Sequence, residues 1–290
     1  MILKENFVLN NGVEIPKLGL GTWMIDNSQV AQAVEEAIKL GYRHIDTAQA
    51  YANEQGVGEG IRKSGVNRQD LFVTSKVHAG FKTYETAKES IAQSLKTLDI
   101  DYIDLMIIHA PQPWEKWRTN SRYFKENKEV WRALEEAYKE GKIRAIGVSN
   151  FLQDDLENIL ETAKIKPMVN QVLTHISNTP KSLIDFCQNN NIQVEAYSPI
   201  AHGAVLNNKE IGNIAKKYNV SVPQLCIRYV IQLGCVALPK TSNPLHMQQN
   251  AAVDFEIDAE DMKTLLNMKT IDNYGESSAF PVFSQKKIGE

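Results

Sequence analysis

Short apolar runs and helical patterns alternate along this chain from Leu18 to Thr241. The runs are LGLGT, HIDTA, LFVTSKV, YIDLMIIHA, IRAIGVSN, PMVNQV, IQVEAYSP and CVALPKT, eight in all. Most are continuous in their apolar residues, which is how a strand reads when a parallel sheet buries both of its faces. Between them, VAQAVEEAIKLG sets Val30, Ala33, Val34, Ala37 and Ile38 on one helical face and stops at Gly41. ETAKESIAQSLKTL repeats the pattern with Ala87, Ile91, Leu95 and Leu98, and NKEVWRALEEAYKEGK with Trp131, Leu134 and Tyr138. Eight strand–helix units predict an α/β fold of the (β/α)8 TIM barrel type rather than a doubly wound sheet. No GxGxxG follows any strand candidate, which also argues against a dinucleotide-binding sheet. A barrel takes about 250 residues as one domain, and no linker or low-complexity segment interrupts this chain. One domain over residues 1–290 is therefore expected. Ahead of the barrel, FVLNNGVEIP predicts a β-hairpin cap with an Asn-Gly turn, and AFPVF near the end predicts a loop tail over the pocket.

Several function classes are disfavoured by charge and composition. A net charge of −3 leaves no basic footprint for nucleic acid. The opening MILKENFVLNNG lacks the apolar run of a signal peptide, and no later stretch approaches a membrane span. Cys187, Cys226 and Cys235 have no CxxC spacing and each lies in an apolar stretch. They read as reduced core residues of a cytoplasmic protein.

In barrels of this type the chemistry sits where the strands end at the carboxyl face. Asp46 ends the second run, Lys76 the third and His109 the fourth, and Tyr51 follows the second on its loop. Taken singly, each has an ordinary explanation. An Asp at a strand end is more often a turn or cap residue, a Tyr is usually amphipathic packing, and a His is usually a hydrogen-bonded core residue. Lys76 is harder to set aside, because lysine is almost never fully buried unless paired. The barrel would point all four into one mouth.

At this point the sequence resembles a known family, the aldo-keto reductases, and within it the bacterial members similar to 2,5-diketo-D-gluconate reductase and glyoxal reductase. The resemblance covers essentially the whole chain. GYRHIDTAQAYANEQGVG, from Gly41 through Asp46 and Glu54 to Gly58, satisfies the first family signature. GVSNF at 147–151 carries the second, and LPKT at 238–241 opens the third. The resemblance implies an NAD(P)H-dependent reductase of aldehydes and ketones, with Asp46, Tyr51, Lys76 and His109 as the catalytic tetrad and no metal. It implies Ser149, Asn150 and Gln171 at the nicotinamide carboxamide, Tyr197 stacked on the ring, and Ser198 and Ile200 near the pyrophosphate. Thr22 and Trp23 join the cofactor set, Lys240, Thr241 and His246 face the ribose phosphate, and Gln249 and Asn250 the adenine. The substrate pocket would take Trp23, His78, Ala110, Trp114 and Phe280, with Phe283 as a second lid ring. NADPH is the implied cofactor, NADH a weaker second, the partner a small carbonyl compound, and the state a monomer.

Elementary chemistry supports those residue types. Reducing a carbonyl needs a hydride at carbon and a proton at oxygen. A phenol with an ordinary pKa of about 10 is a poor acid at neutral pH and needs tuning. Lys76 would favour the phenolate, and Asp46 would keep the buried lysine charged. His109 would hydrogen-bond and orient the carbonyl oxygen.

Departures from the family pattern stand beside the matches. His78 and Ala110 occupy positions where relatives commonly carry tryptophan, which predicts a wider and more polar mouth. His246 stands where the family's arginine grips the 2′-phosphate, which predicts a modest NADPH preference. Two other classes remain open on sequence alone: a Schiff-base lyase, since a barrel-end lysine is also an aldolase feature, and a non-catalytic cofactor-binding regulatory subunit. The fold alone does not decide among them.

Overall fold

The structure, a computed structural model, describes residues 1–284, and positions 285–290 of the expected span lie outside the described residues. An antiparallel pair, β1 (Asn6–Val8) and β2 (Glu14–Pro16), precedes eight parallel strands. These are β3 (Leu20–Gly21), β4 (His44–Asp46), β5 (Phe72–Val77), β6 (Ile103–Ile108), β7 (Ile143–Ser149), β8 (Val169–Leu173), β9 (Gln193–Tyr197) and β10 (Val236–Leu238). The sheet runs in sequence order from β3 to β10. Parallel bridges Leu18–Ala237 and Gly21–Lys240 then join the first strand to the last. The N–H groups of Gly19 and Gly21 complete the closure, donating to the carbonyls of Ala237 at 2.9 Å and Pro239 at 3.0 Å. Every apolar run singled out in the sequence is a strand of the expected (β/α)8 barrel.

The interleaved helices cover the outside: α1 (Asn27–Lys39), α2 (Glu54–Lys63), α3 (Tyr84–Leu98), α4 (Phe124–Lys139), α5 (Gln153–Leu160) and α6 (Lys181–Asn189). Four more follow, α7 (Lys209–Lys217), α8 (Val222–Gln232), α9 (Pro244–Ala251) and α10 (Ala259–Leu266). Strands β5 and β6 are buried along their whole length, because helices cover one side and the barrel interior the other. The buried face of α1 is Val30, Ala33, Val34, Ala37 and Ile38, the stripe read from the sequence. Gly58 explains the glycine-rich QGVGEG: a Cβ there would stand 1.9 Å from the Leu98 carbonyl oxygen, so α2 approaches the end of α3 only without a side chain. Glu54, also in that signature, is buried and accepts a 2.6 Å hydrogen bond from Ser75 Oγ of β5.

The hairpin caps the barrel at the amino ends of the strands. Asn10 donates to the carbonyls of Pro167 and Asn191, and Asn11 to that of Arg144, which lie at the starts of β8, β9 and β7. Its connection is longer than a two-residue Asn-Gly turn. Val8 pairs with Glu14, and Gly12 supplies a left-handed residue (φ +85°) inside the loop. Residues at the opposite, carboxyl ends are left free for a site. Among the described residues no helix is long and apolar enough to cross a membrane.

Candidate active site

Asp46 closes β4 and Lys76 is the penultimate residue of β5, and both side chains point inward. Lys76 is fully buried, and its Nζ donates to Asp46 Oδ1 at 2.6 Å and to the Thr47 carbonyl at 2.8 Å. Burial works against its charge, but the Asp46 carboxylate and then Tyr51 outweigh it and hold Lys76 above the usual lysine range. A charged amine without exposure and already tied to two acceptors is no nucleophile, which removes the support for the Schiff-base reading.

Tyr51 ends a 3-10 turn, Gln49–Tyr51, directly after β4. Asn53 fixes that turn from behind. Its Nδ2 donates to the carbonyls of Thr22 and Ile25, and its Oδ1 accepts from Thr47 Oγ1 at 2.7 Å. The Tyr51 ring lies with the Lys76 ammonium 4.9 Å from its centroid. Burial raises the Tyr51 pKa more than Lys76 lowers it, with Asp46 adding to the rise. The expected tuning toward neutrality is therefore outweighed. Lys76 acts in the expected direction, but desolvation of the phenolate is the larger effect.

His109 follows β6, its ring edge-on to Tyr51 at 5.6 Å and to Trp114 at 5.2 Å. Burial first, then Lys76, holds it well below the usual imidazole range, so it is neutral. Its Nδ1 is buried without a hydrogen-bond partner among the described residues.

Asp46, Tyr51 and His109 open onto a cleft of about 880 Å³. Of the residues implied by the resemblance, Trp23, His78, Trp114, Ser149, Asn150, Gln171, Tyr197, Ser198, Ile200, Lys240, Thr241, His246, Gln249, Asn250, Phe280 and Phe283 all line it. Ser149 Oγ donates to the Gln171 carbonyl at 2.9 Å, and Asn150 Nδ2 donates to the His109 carbonyl at 3.1 Å. Tyr197 gives its hydroxyl proton to Asn150 Oδ1 at 2.7 Å, fixing its ring beside the tetrad. Asn150 (φ +61°) and Ser198 (φ +52°) hold left-handed backbone at the cleft wall, the kind of local strain that surrounding structure sustains at functional sites.

Three of the expected residues do not line the cleft: Lys76, buried beneath it, and two others. Thr22 is fully buried with Oγ1 on the Asp46 carbonyl at 2.9 Å, so it supports the strand end from behind. Ala110 is buried with Ala79 and Trp117, and Trp114 packs over that cluster. The room expected from a missing tryptophan at 110 is filled by rings from the following loop, whereas His78 lines the cleft. Asn243 caps α9, its Oδ1 accepting from the Leu245 N–H at 2.9 Å.

The sequence reading missed His202, Leu206, Ser221 and Pro223, all on the cleft wall. His202 packs 4.5 Å from Phe283 and accepts or donates at 3.1 Å to Ser198 Oγ. They lie on loops and a helix start without periodicity, so no pattern marked them. Glu195 inside β9 was also missed, though a carboxylate in an apolar run was a visible signal.

The donor set suits a long dinucleotide: a wall of amides at the barrel end, an aromatic ring beside them, and an exposed lysine at the outer end. Fold and site together describe a barrel whose one cleft joins an ionisable floor to a wall of amides.

A family model described as Aldo/keto reductase family matches residues 17–269. Glyoxal reductase of Bacillus subtilis is 47% identical over 262 residues, covering 90% of this chain and 91% of its own. Methylglyoxal reductase DkgA of Escherichia coli is 35% identical over 257 residues, covering 88% and 90%. A crystal structure of a Bombyx mori aldo-keto reductase in complex with NADP superposes with a TM-score of 0.85 at 30% identity, covering 98% of each chain. The chain belongs to the aldo/keto reductase family and is an NAD(P)H-dependent oxidoreductase.

Proposed function

We propose that this enzyme reduces aldehydes and ketones to alcohols with NADPH, and that Tyr51 gives the proton. The bound dinucleotide supplies the hydride. Ser149, Asn150 and Gln171 would hold its amide, Tyr197 its ring, and Ser198 and Ile200 its pyrophosphate. Lys240, Thr241 and His246 would hold the 2′-phosphate, with Gln249 and Asn250 at the adenine. NADH is a second, poorer donor, because the phosphate contact at His246 lacks a permanent charge.

One observation supports the acid assignment: a neutral imidazole and a phenol share the floor of the cleft, and the Lys76 ammonium lies 4.9 Å from the phenol ring. A neutral His109 has no extra proton to give near neutral pH, but can donate its N–H to orient the carbonyl oxygen. Tyr51 is protonated before reaction, the form reduction requires. Lys76 then stabilises the phenolate left behind, which is where a preorganised charge lowers a barrier.

The names of the relatives favour small, oxidised aldehydes such as glyoxals as substrates, and the wall of His78, Trp114 and Phe280 would contact them. The chain is read as a monomer of the cytoplasm, in keeping with three cysteines that are free and buried. Tyr51→Phe tests the reading. It should cut carbonyl reduction at least ~100-fold while NADPH affinity stays near wild type. Near-normal turnover with several aldehydes would overturn the assignment.

A further inference from the structure

Glu195 is the third residue of β9 and lies wholly inside the barrel. Its Oε2 accepts one N–H of the Gln171 amide at 2.8 Å, and the other N–H goes to Asp46 Oδ2 at 2.8 Å. One amide nitrogen therefore bridges two carboxyl groups, and Asp46 in turn holds Lys76 at 2.6 Å. An ionised carboxylate only accepts, so the NH2 end of Gln171 must face inward, leaving its oxygen to the cleft.

Charge counting decides the state of Glu195. Lys76 and Asp46 cancel, so a second carboxylate here would be an uncompensated anion in a dry interior. Among the described residues its Oε1 has no hydrogen-bond partner, and it faces His44 Nε2 at 3.6 Å. His44 is held neutral, near about 3, by burial and then by Lys76, so it brings no positive charge. From the other strands, Asp46 and Lys76 face Glu195 through Gln171, and its register neighbour on β10 is the apolar Val236. Burial, then Asp46, pushes Glu195 up to about 8. Lys76 stays charged in that range.

We propose that Glu195 is a positioning residue that couples pH to the redox form of the cofactor. As a neutral acid it shares the Gln171 amide with Asp46. As a carboxylate it adds one negative charge beneath the nicotinamide and so favours the cationic, oxidised form over the neutral, reduced one. The inference rests on the reading of Gln171 as a holder of the cofactor amide.

The experiment is calorimetric titration of NADP+ and NADPH into wild type, Glu195→Gln and Gln171→Leu between about pH 6.5 and 9.5. Phosphate and adenine are common to both ligands, so the ratio of their Kd values cancels effects at those ends of the cleft. In wild type the ratio Kd(NADP+)/Kd(NADPH) should fall about five- to tenfold as pH rises through the ionisation of Glu195. In Glu195→Gln it should be flat, with circular dichroism confirming the fold. A flat wild-type ratio overturns the inference without any variant, and so does a slope that persists in Glu195→Gln. Weaker binding of both forms by Gln171→Leu keeps the amide reading intact in either case. Unchanged affinities in Gln171→Leu overturn both.

Discussion

Asp46→Asn keeps the shape of the side chain and removes the charge that holds Lys76. At 2.6 Å separation, an effective dielectric of about 20 gives a gross attraction of about 6 kcal/mol. Breaking one side of a buried pair costs about 3–5 kcal/mol net. Without the carboxylate, burial, the largest influence on Lys76, is no longer outweighed, and its pKa falls below the ordinary lysine value. The two proteins then respond oppositely to pH. In wild type the folded pKa of Lys76 is raised, so its contribution is fully present below the unfolded value of about 10.4 and is lost as pH rises through the folded one. In the variant the folded pKa lies below the unfolded one. Between the two values the unfolded chain binds more protons, and stability rises with pH by up to about 1.4 kcal/mol per unit. Urea unfolding of both proteins between about pH 8.5 and 10 reads this directly. The stability gap should narrow as pH rises, and the alkaline limb of kcat for carbonyl reduction should move down by about one unit or more. Parallel stability lines with superimposed rate profiles would refute the reasoning.

A cleft position and a buried one behind the wall should behave differently when enlarged. Ala110→Trp, placed among Ala79, Trp114 and Trp117, should lose about 1–3 kcal/mol of stability by overpacking and slow small and bulky substrates alike. His78→Trp, on the cleft wall, should instead lower kcat/KM for bulky ketones selectively, as a substrate series would show. His246→Arg should widen the NADPH:NADH ratio of kcat/KM by about tenfold or more, since a fork on a phosphate contributes roughly 1.5–3 kcal/mol. An unmoved ratio would show that position 246 does not read the phosphate.

The barrel was legible because its strands are buried on both faces. FVTSKV and IDLMII carry enough apolar residues to stand out without partners. Even LGLGT, of which only Leu20–Gly21 is strand, was marked by its position ahead of a helix. The four polar residues gathered at the cleft floor stood out because buried strand ends rarely carry Asp, Lys and His. What the sequence could not show was competition in space. Nothing in HAPQPWEKW says that Trp114 and Trp117 fold back over Ala110, because that loop has no period and its packing is tertiary. Nor does a neighbouring lysine reveal that burial outweighs it at Tyr51. Such balances depend on how much water the fold excludes.

The Gly21–Lys240 bridge has a kinetic side. It is a zip between residues near opposite ends of the barrel sequence, and long-range pairing of this kind is late and entropically slow. If Lys240 grips the cofactor phosphate, the ligand fastens the same zip. A ligand bound only to the zipped form at a hundred times its Kd contributes about 2.7 kcal/mol to keeping it shut. The amide hydrogens of Gly19 and Gly21, which cross it, would then exchange with solvent more slowly in the loaded enzyme than in the empty one. Substrate supply and protection of the chain from local opening would rise and fall together with the cell's nicotinamide pool.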